Sequence, residues 1–418
     1  RWLDGAFDEN GANCEGTAYA VYALSNSTLF IDALKRNGGP NLFDHPHLRR
    51  VPHFYAMSLL PGESVFDARN DADYAGFWDP FMLRLSGEYN DGLAKWLFNR
   101  CFTDRSFLEI VWENSVEPRS PWEVGEPLEE HFPGRGLCIF RTGWEEDDVQ
   151  FSIESGPFFR KTHNQADKGH FTLYGLGHRW AIDSGYGNSQ DPNGKAQTVA
   201  HNSVLIDGSG QALSGAGLGT SGQILDYQTH DEYGYVLADC GIAYNHNSDG
   251  HPGIGVKKAL RHAFFVRPKD GLPAYTVILD DIRKDDSPHQ YTWLLHTDSE
   301  MAVEVGEATA EVTPTSATGE IQESPRLLVY LHAVSDPTLE VDQYLDHPRL
   351  KGSTEGVNPR FAALLLPLPA ENEYPEVDFQ ERDGALHIDV RWKERKDSIV
   401  WPETGETNPK VYLEKSSG

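Results

Sequence analysis

RKTHNQADKGHFTLYGLGHRWAIDSGYGN, residues 160–188, and AHNSVLIDG, residues 200–208, decide how this chain is read. The segments 170–174, 179–183 and 203–206 run or alternate apolar as β-strands do, with turn residues between them. Around their ends crowd His163, Asn164, Gln165, Asp167, His170, His178, Asp183, Tyr186, His201 and Asn202. Polar side chains massed at the ends of a rigid sheet point to a chemical site.

Working outward, the same grammar continues. Strand patterns recur at 137–141, 149–154, 223–228, 233–239, 259–267, 275–281, 290–296 and 327–332. With no helices interleaved, they predict a large antiparallel β-sandwich over 136–340. Weaker strands at 361–366, 386–391 and 411–413 predict a small C-terminal β unit over 341–418. Residues 1–115 read as helices instead. Tyr19, Val21, Tyr22, Leu24, Leu29, Ile31 and Leu34 fall at helical spacing, with Asn13 as the expected N-cap and Gly38-Gly39-Pro40 as the stop. Further helices are expected at about 51–60, 72–86, 91–102 and 104–113, and a Pro, Glu and Gly-rich linker at 116–135. The expected class is multidomain α+β, in keeping with a length of 418 residues.

A formal net charge of −28 repels polyanions and argues against a nucleic-acid partner. An anionic substrate would need a local basic patch, for which Arg160, Lys161, Lys168 and Arg179 are the candidates. Four separated cysteines without a CxxC fit neither a zinc knuckle nor a disulfide scaffold. No apolar run is long enough for a membrane-spanning helix. Serine-hydrolase elbow, phosphate-binding loop and HExxH helix are all missing from the sequence.

His163 can exchange protons near neutral pH or hydrogen-bond a carboxylate. Gln165, Asp183 and His201 recur 18 residues apart at strand edges, where adjacent strands could gather them around one Zn²⁺ or Mn²⁺. The alternative has Asp183 capping the turn DSGYG and His201 bonded within the sheet. Tyr19 lies one turn beyond Glu15 on the first long helix, with Asn13 nearby. Its phenol can donate a proton, or accept one if nearby positive charge ionises it. Packing between helices is its other use. Glu15, Asp67 and Asp167 are the carboxylates a hydrolase would draw on.

HNQADKGHFTLYGLGHRWAIDSGYG with AHNSVLIDG resembles the heparinase II/III-like polysaccharide lyases, and DGAFDENGANCEGTAYAVYAL is similar to a helix of their α-toroid. RHAFFVRPKDGLPAYTVILDDI and YTWLLHT resemble their sandwich strands, so the likeness covers about residues 1–300. It implies a partial (α/α) toroid packed on an antiparallel sandwich, and β-elimination of a uronic-acid polysaccharide such as glycosaminoglycan, alginate or ulvan. It implies His163 and Tyr19 as catalytic groups from separate domains, facing each other across a groove, with Tyr186 as a second cleft tyrosine. Asn13, Glu15, Asn164, Arg160 and Lys168 are the expected substrate contacts. Asp183 and His201 would ligate a structural divalent metal, with Gln165 in place of the family's histidine. No redox cofactor is required, and the substrate class implies a secreted or periplasmic protein. A glycoside hydrolase and a non-catalytic glycan-binding protein are the alternatives.

Overall fold

The computed structural model describes residues 2–157, 163–187, 191, 193–212, 221–247, 253–315, 324–393, 395–403 and 412–416. Helices α1 (Trp2–Ala6), α2 (Thr17–Arg36), α3 (Pro46–Ser58), α4 (Phe81–Tyr89), α5 (Gly92–Cys101) and α6 (Leu108–Trp112) come first. In α2 the buried set includes Ala20, Val21, Leu24 and Ile31, one stripe of a helix. Its N-cap is Gly16, not Asn13. A Cβ at Gly16 would lie 2.6 Å from the Arg69 carbonyl oxygen, and its φ is +90°, so a residue without a side chain suits the position. Asn13 instead accepts the Glu15 N–H at 2.8 Å. The helix expected over 72–86 begins only at Phe81, where Asp79 accepts the Phe81 N–H. Residues 72–80 are irregular, and their start belongs to the site.

The expected linker 116–135 is structured. Ser120 and Glu123 form a capping box on α7 (Pro121–Val124), and β1 (Glu129–Phe132) follows. His53 of α3 bonds Glu126 through Nδ1 and Glu130 through Nε2, the latter at 3.0 Å, fastening this segment to the helices. Burial alone would lower the His53 pKa, but the two glutamates outweigh it and hold it above the ordinary value. A raised folded-state pKa gives stability that is complete below the unfolded value of about 6.5 and lost as pH rises through the folded one. The melting temperature should therefore fall over that rise in the wild type, and a His53→Gln variant should show a flatter profile. Thermal melts of both across the range check this.

Strands β2 (Leu137–Arg141), β3 (Val149–Glu154), β4 (His170–Gly175) and β5 (His178–Ala181) complete a five-stranded antiparallel meander with β1. Leu137 and Ile139 pack among the helices, while Cys138 and Phe140 face the sandwich. A strand covered on both faces needs this unbroken apolar sequence. Arg141, fully buried at its end, donates to the carbonyls of Ala56, Leu59 and Gly143 at 2.9–3.0 Å and of Met57 at 3.3 Å. It thereby caps the carboxyl end of α3, where the helix dipole favours a cation.

The remaining strands are β6 (Val204–Ile206), β7 (Gln223–Thr229), β8 (Tyr233–Asp239), β9 (Lys258–Val266), β10 (Tyr275–Arg283), β11 (His289–His296), β12 (Met301–Val305), β13 (Thr309–Pro314), β14 (Arg326–His332), β15 (Thr338–Tyr344), β16 (His347–Gly356), β17 (Phe361–Leu368), β18 (Glu376–Arg382), β19 (Ala385–Trp392), β20 (Arg395–Pro402) and β21 (Tyr412–Ser416). Three antiparallel sheets result, ordered β12-β13-β14-β17-β10-β9-β8-β7, β15-β16-β11-β6 and β18-β19-β20-β21. A short helix, α8 (Gly241–Asn245), joins β8 to β9.

The boundary expected at residue 340 is corrected. It falls inside β15, and β17 is a central strand, paired to β10 on one side and β14 on the other. Phe361, Ala363 and Leu365 enter the main sandwich core. Ala362, Leu364, Leu366 and Leu368 enter a second core shared with Leu386, Ile388 and Trp401 of the last sheet. A fully buried Leu or Phe contributes about 1.5–3 kcal/mol, so β17 holds both layers. The separate C-terminal layer is the sheet β18–β21.

Candidate active site

Four segments meet where the helices face the five-stranded sheet. Tyr19 comes from the first turn of α2, His163 and Gln165 from the loop before β4, and Tyr186 from the loop after β5. Residues 67–73 supply Asp71 and Asp73. Tyr19 and His163 stack, with ring centroids 3.5 Å apart and planes inclined by 18°. The Tyr19 hydroxyl donates to that of Tyr186 at 3.4 Å. Sequence reasoning expected a groove between the phenol and the imidazole. The rings are in contact instead, and no sugar fits between them. The hydroxyl edge of the pair meets Tyr186, which is about half exposed.

Asp71 organises the cluster. Its Oδ2 lies 2.8 Å from His163 Nδ1, and its Oδ1 accepts from Gln165 Nε2 at 2.8 Å. Because a carboxylate accepts, His163 carries its proton on Nδ1 and leaves the Nε2 lone pair available. His163 has φ +72°, a left-handed conformation that costs a non-glycine residue about 1–3 kcal/mol. The Asp71 bond and the Tyr19 stack offset that cost. Asp73 accepts the Tyr186 N–H at 3.5 Å. No sequence pattern marks Asp71 or Asp73: the turn-forming residues Asn70-Asp71 precede the helix expected over 72–86, and Asp73 reads as part of it.

Tyr19 titrates well above the ordinary phenol value. Burial is the main cause, followed by the Tyr186 hydrogen bond and the charges of Asp71 and Glu15. Its neighbours are acidic, not basic, so the ionised form considered from sequence is disfavoured. Tyr19 is suited to give a proton. Tyr55 is sealed in a cluster of phenylalanines and donates to the Thr17 carbonyl, whereas Tyr22 is exposed.

The floor of the site is a buried polar network. Asp67 accepts from Arg69, Ser152 and Thr172 at 2.8–3.1 Å, and Arg135 joins Asn70 to Glu154 at 2.9 and 3.0 Å. Arg261 pairs with Asp280 through two bonds and donates to the carbonyls of Gly169 and Asn202. Asn202 ties strand ends together through Phe171, Ile182 and His296.

Three expected substrate contacts are corrected by burial. Lys168 is enclosed and pairs with Asp167 at 2.9 Å, so its ammonium does not face open space. Asn13 is buried in its turn with Glu15, which is half-buried. Asn164 is also buried, and Arg160 and Lys161 lie outside the described residues. Arg179 pairs with Glu63 and Asp298. Asp67 and Asp167 are enclosed and bonded, which leaves the hydrolase alternative no open pair among its three candidates.

Asp183 and His201 do meet, and His170 completes their group. One ligand atom from each lies within 4.8 Å of the others, and all three residues are buried. His170 Nε2 and His201 Nδ1 stand 3.4 and 3.5 Å from Asp183 Oδ2, long for hydrogen bonds, and all three atoms lack partners. Ligand atoms around a tetrahedral zinc, at bonds of about 2.0–2.1 Å, are separated by about 3.4 Å. The triad therefore fits a divalent ion. His170 is the less ready donor, because its Nδ1 accepts the Asn202 N–H and its proton then sits on Nε2. Gln165 turns its amide nitrogen to Asp71 and the Gly185 carbonyl, with Oε1 buried and unpartnered.

The family model of the heparinase II/III-like C-terminal domain matches residues 126–380. The chain belongs to the heparinase II/III-like family. Among solved structures it is similar to a heparinase III gene product, with TM-score 0.69 and 15% identity over 96% of this chain and 60% of that one. A heparinase III structure gives TM-score 0.67 and 13% identity over 99% and 62%. The heparan sulfate lyase HepC from Pedobacter heparinus gives 0.67 and 14% over 97% and 61%. The chain thus spans about three fifths of the length of these heparinase-like structures. No curated protein sequence matches it. Within the family match lie His163, Tyr186, the triad and both sandwich sheets, whereas Tyr19 and Asp71 precede it.

Proposed function

We propose that this chain is a polysaccharide lyase that cleaves a uronic-acid polymer by β-elimination. The observation carrying the reading is the Asp71–His163–Tyr19 arrangement, in which a lone pair and a retained proton sit side by side. His163 Nε2 takes the C5 proton. The C5–H electrons form the C4=C5 double bond, the C4–O4 bond breaks, and Tyr19 or its partner Tyr186 protonates the leaving O4. Positioned acid–base groups of this kind contribute about 10²–10⁴-fold. The C5 proton is weakly acidic until the neighbouring carboxylate is neutralised. We assign that task to Arg160. The helices α1–α6 would form the closing part of an (α/α) toroid. A polymeric substrate also places the protein outside the cytoplasm, secreted or periplasmic.

Asp183, His201 and His170 would hold a structural zinc ion, which supplies positive charge that fixes the ends of β4 and β5 relative to the loop before β6. Elemental analysis of the purified protein should find about one zinc per chain at this triad, lost in a His201→Ala variant. A metal content unchanged by that substitution would remove the ion from the triad.

The reading is tested by incubating the protein with glycosaminoglycans, alginate and ulvan. A lyase produces unsaturated uronate ends that absorb in the ultraviolet. New reducing ends without that absorbance would mean hydrolysis, and binding without either would mean a glycan-binding protein.

A further inference from the structure

A second group of metal-ligating side chains lies apart from the cleft, where α1 meets the start of α3. One ligand atom each from Asp4, His45 and His47 lies within 4.8 Å of the others. The two imidazoles meet edge to face with centroids 4.8 Å apart. His47 Nδ1 is 2.9 Å from the Phe7 carbonyl oxygen, so it carries the proton and leaves the Nε2 lone pair available. A backbone carbonyl on the far nitrogen is the support that orients a metal-binding histidine. His45 bonds Asp4 through Nε2 at 2.9 Å, and its other nitrogen is buried without a partner. Asp8, whose carboxylate interacts with His47 through charge, adds negative potential beside the group.

We propose that Asp4, His45 and His47 form a second site for a divalent transition-metal ion, with zinc the best match to two imidazoles and a carboxylate. The ion would fasten α1 to α3 across about 40 residues of chain. The role of such an ion would be structural, joining two helices, and it does not depend on how the cleft works. His45 is the N-cap of α3 and Pro46 its first residue, so both histidines sit at the turn into that helix.

Metal-stripped protein titrated with Zn²⁺ in a calorimeter provides the test. A His45→Gln/His47→Gln double variant should bind one zinc fewer per chain than the wild type and lose part of the zinc-dependent rise in melting temperature. Far-ultraviolet circular dichroism confirms that the variant is folded. Equal zinc stoichiometry in the two proteins, or no zinc bound by the wild type, would overturn the proposal. A single Asp4→Asn variant that retains the ion with weakened affinity supports it. Unchanged affinity in that variant would remove Asp4 from the set.

Discussion

Asp71→Asn is expected to slow elimination by about 10²–10⁴-fold while leaving the melting temperature close to that of the wild type. The asparagine can keep both hydrogen bonds, and that is why it is damaging. Its Oδ1 still accepts from Gln165 Nε2, so its Nδ2 must face His163 Nδ1 and donate to it. The imidazole proton then moves to Nε2, and the lone pair that would take the C5 proton is gone. The loss should fall mainly on kcat, because no substrate contact has been removed. If Asp71 were only a brace for the loop, asparagine would preserve activity. Tyr19→Phe separates the other half of the chemistry. It keeps the stacked ring and removes only the proton donor, so a similar loss is expected unless Tyr186 substitutes for it. Steady-state rates on whichever uronate polymer is cleaved, with melts of each variant, distinguish these outcomes.

The second large effect concerns stability. Arg141→Met should destabilise the protein by about 3–5 kcal/mol, since it strips partners from several buried carbonyls at once. Methionine fills much of the volume but gives nothing to Ala56, Leu59 or Gly143, and it ends the guanidinium contact with Trp144 at 4.6 Å. Burial pushes the Arg141 pKa down to about 9, so the group is still charged at neutral pH. The charge of Asp148 and the carbonyls at the carboxyl end of α3 compensate for its burial. Arg141→Lys should fall between, with a charge retained but too few donors for the same carbonyls. Denaturant melts monitored in the helical and sheet regions would measure both. A loss below about 1 kcal/mol for methionine would show that water reaches those carbonyls.

Much of this molecule is legible in its sequence because strands and helices bury different periods. Alternating and apolar runs separated by turns located β2–β11 and β14, but not β1, which lay inside the expected linker, nor β12, β13, β15 and β16 of the sandwich. The motif HNQADKGH with its partner AHN pointed to loops that meet at the candidate site. What escaped was long-range placement. FAALLLPL reads as an apolar run whether it lies at an edge or at the centre, and only pairing with β10 and β14 shows it to be central. Lys168 reads as an available cation, but Asp167 and the surrounding sheet enclose it. Asp71 is one acidic residue in a polar turn. Its importance comes from His163, 92 residues away, which no local pattern connects to it. His170 reads as the opening of a strand, and its nearness to Asp183 and His201 follows from the register of β4 beside β5.

The position of β17 also bears on how the chain is made. Until residue 368 leaves the ribosome, β14 and β10 have no common neighbour, and two half-sheets wait with their inner edges open. Such unpaired edges are where nascent chains associate wrongly. A stop between β14 and β17 would leave both inner edges open in an aggregation-prone fragment, so chaperones holding the nascent chain would matter most during synthesis of the stretch from β14 to β17.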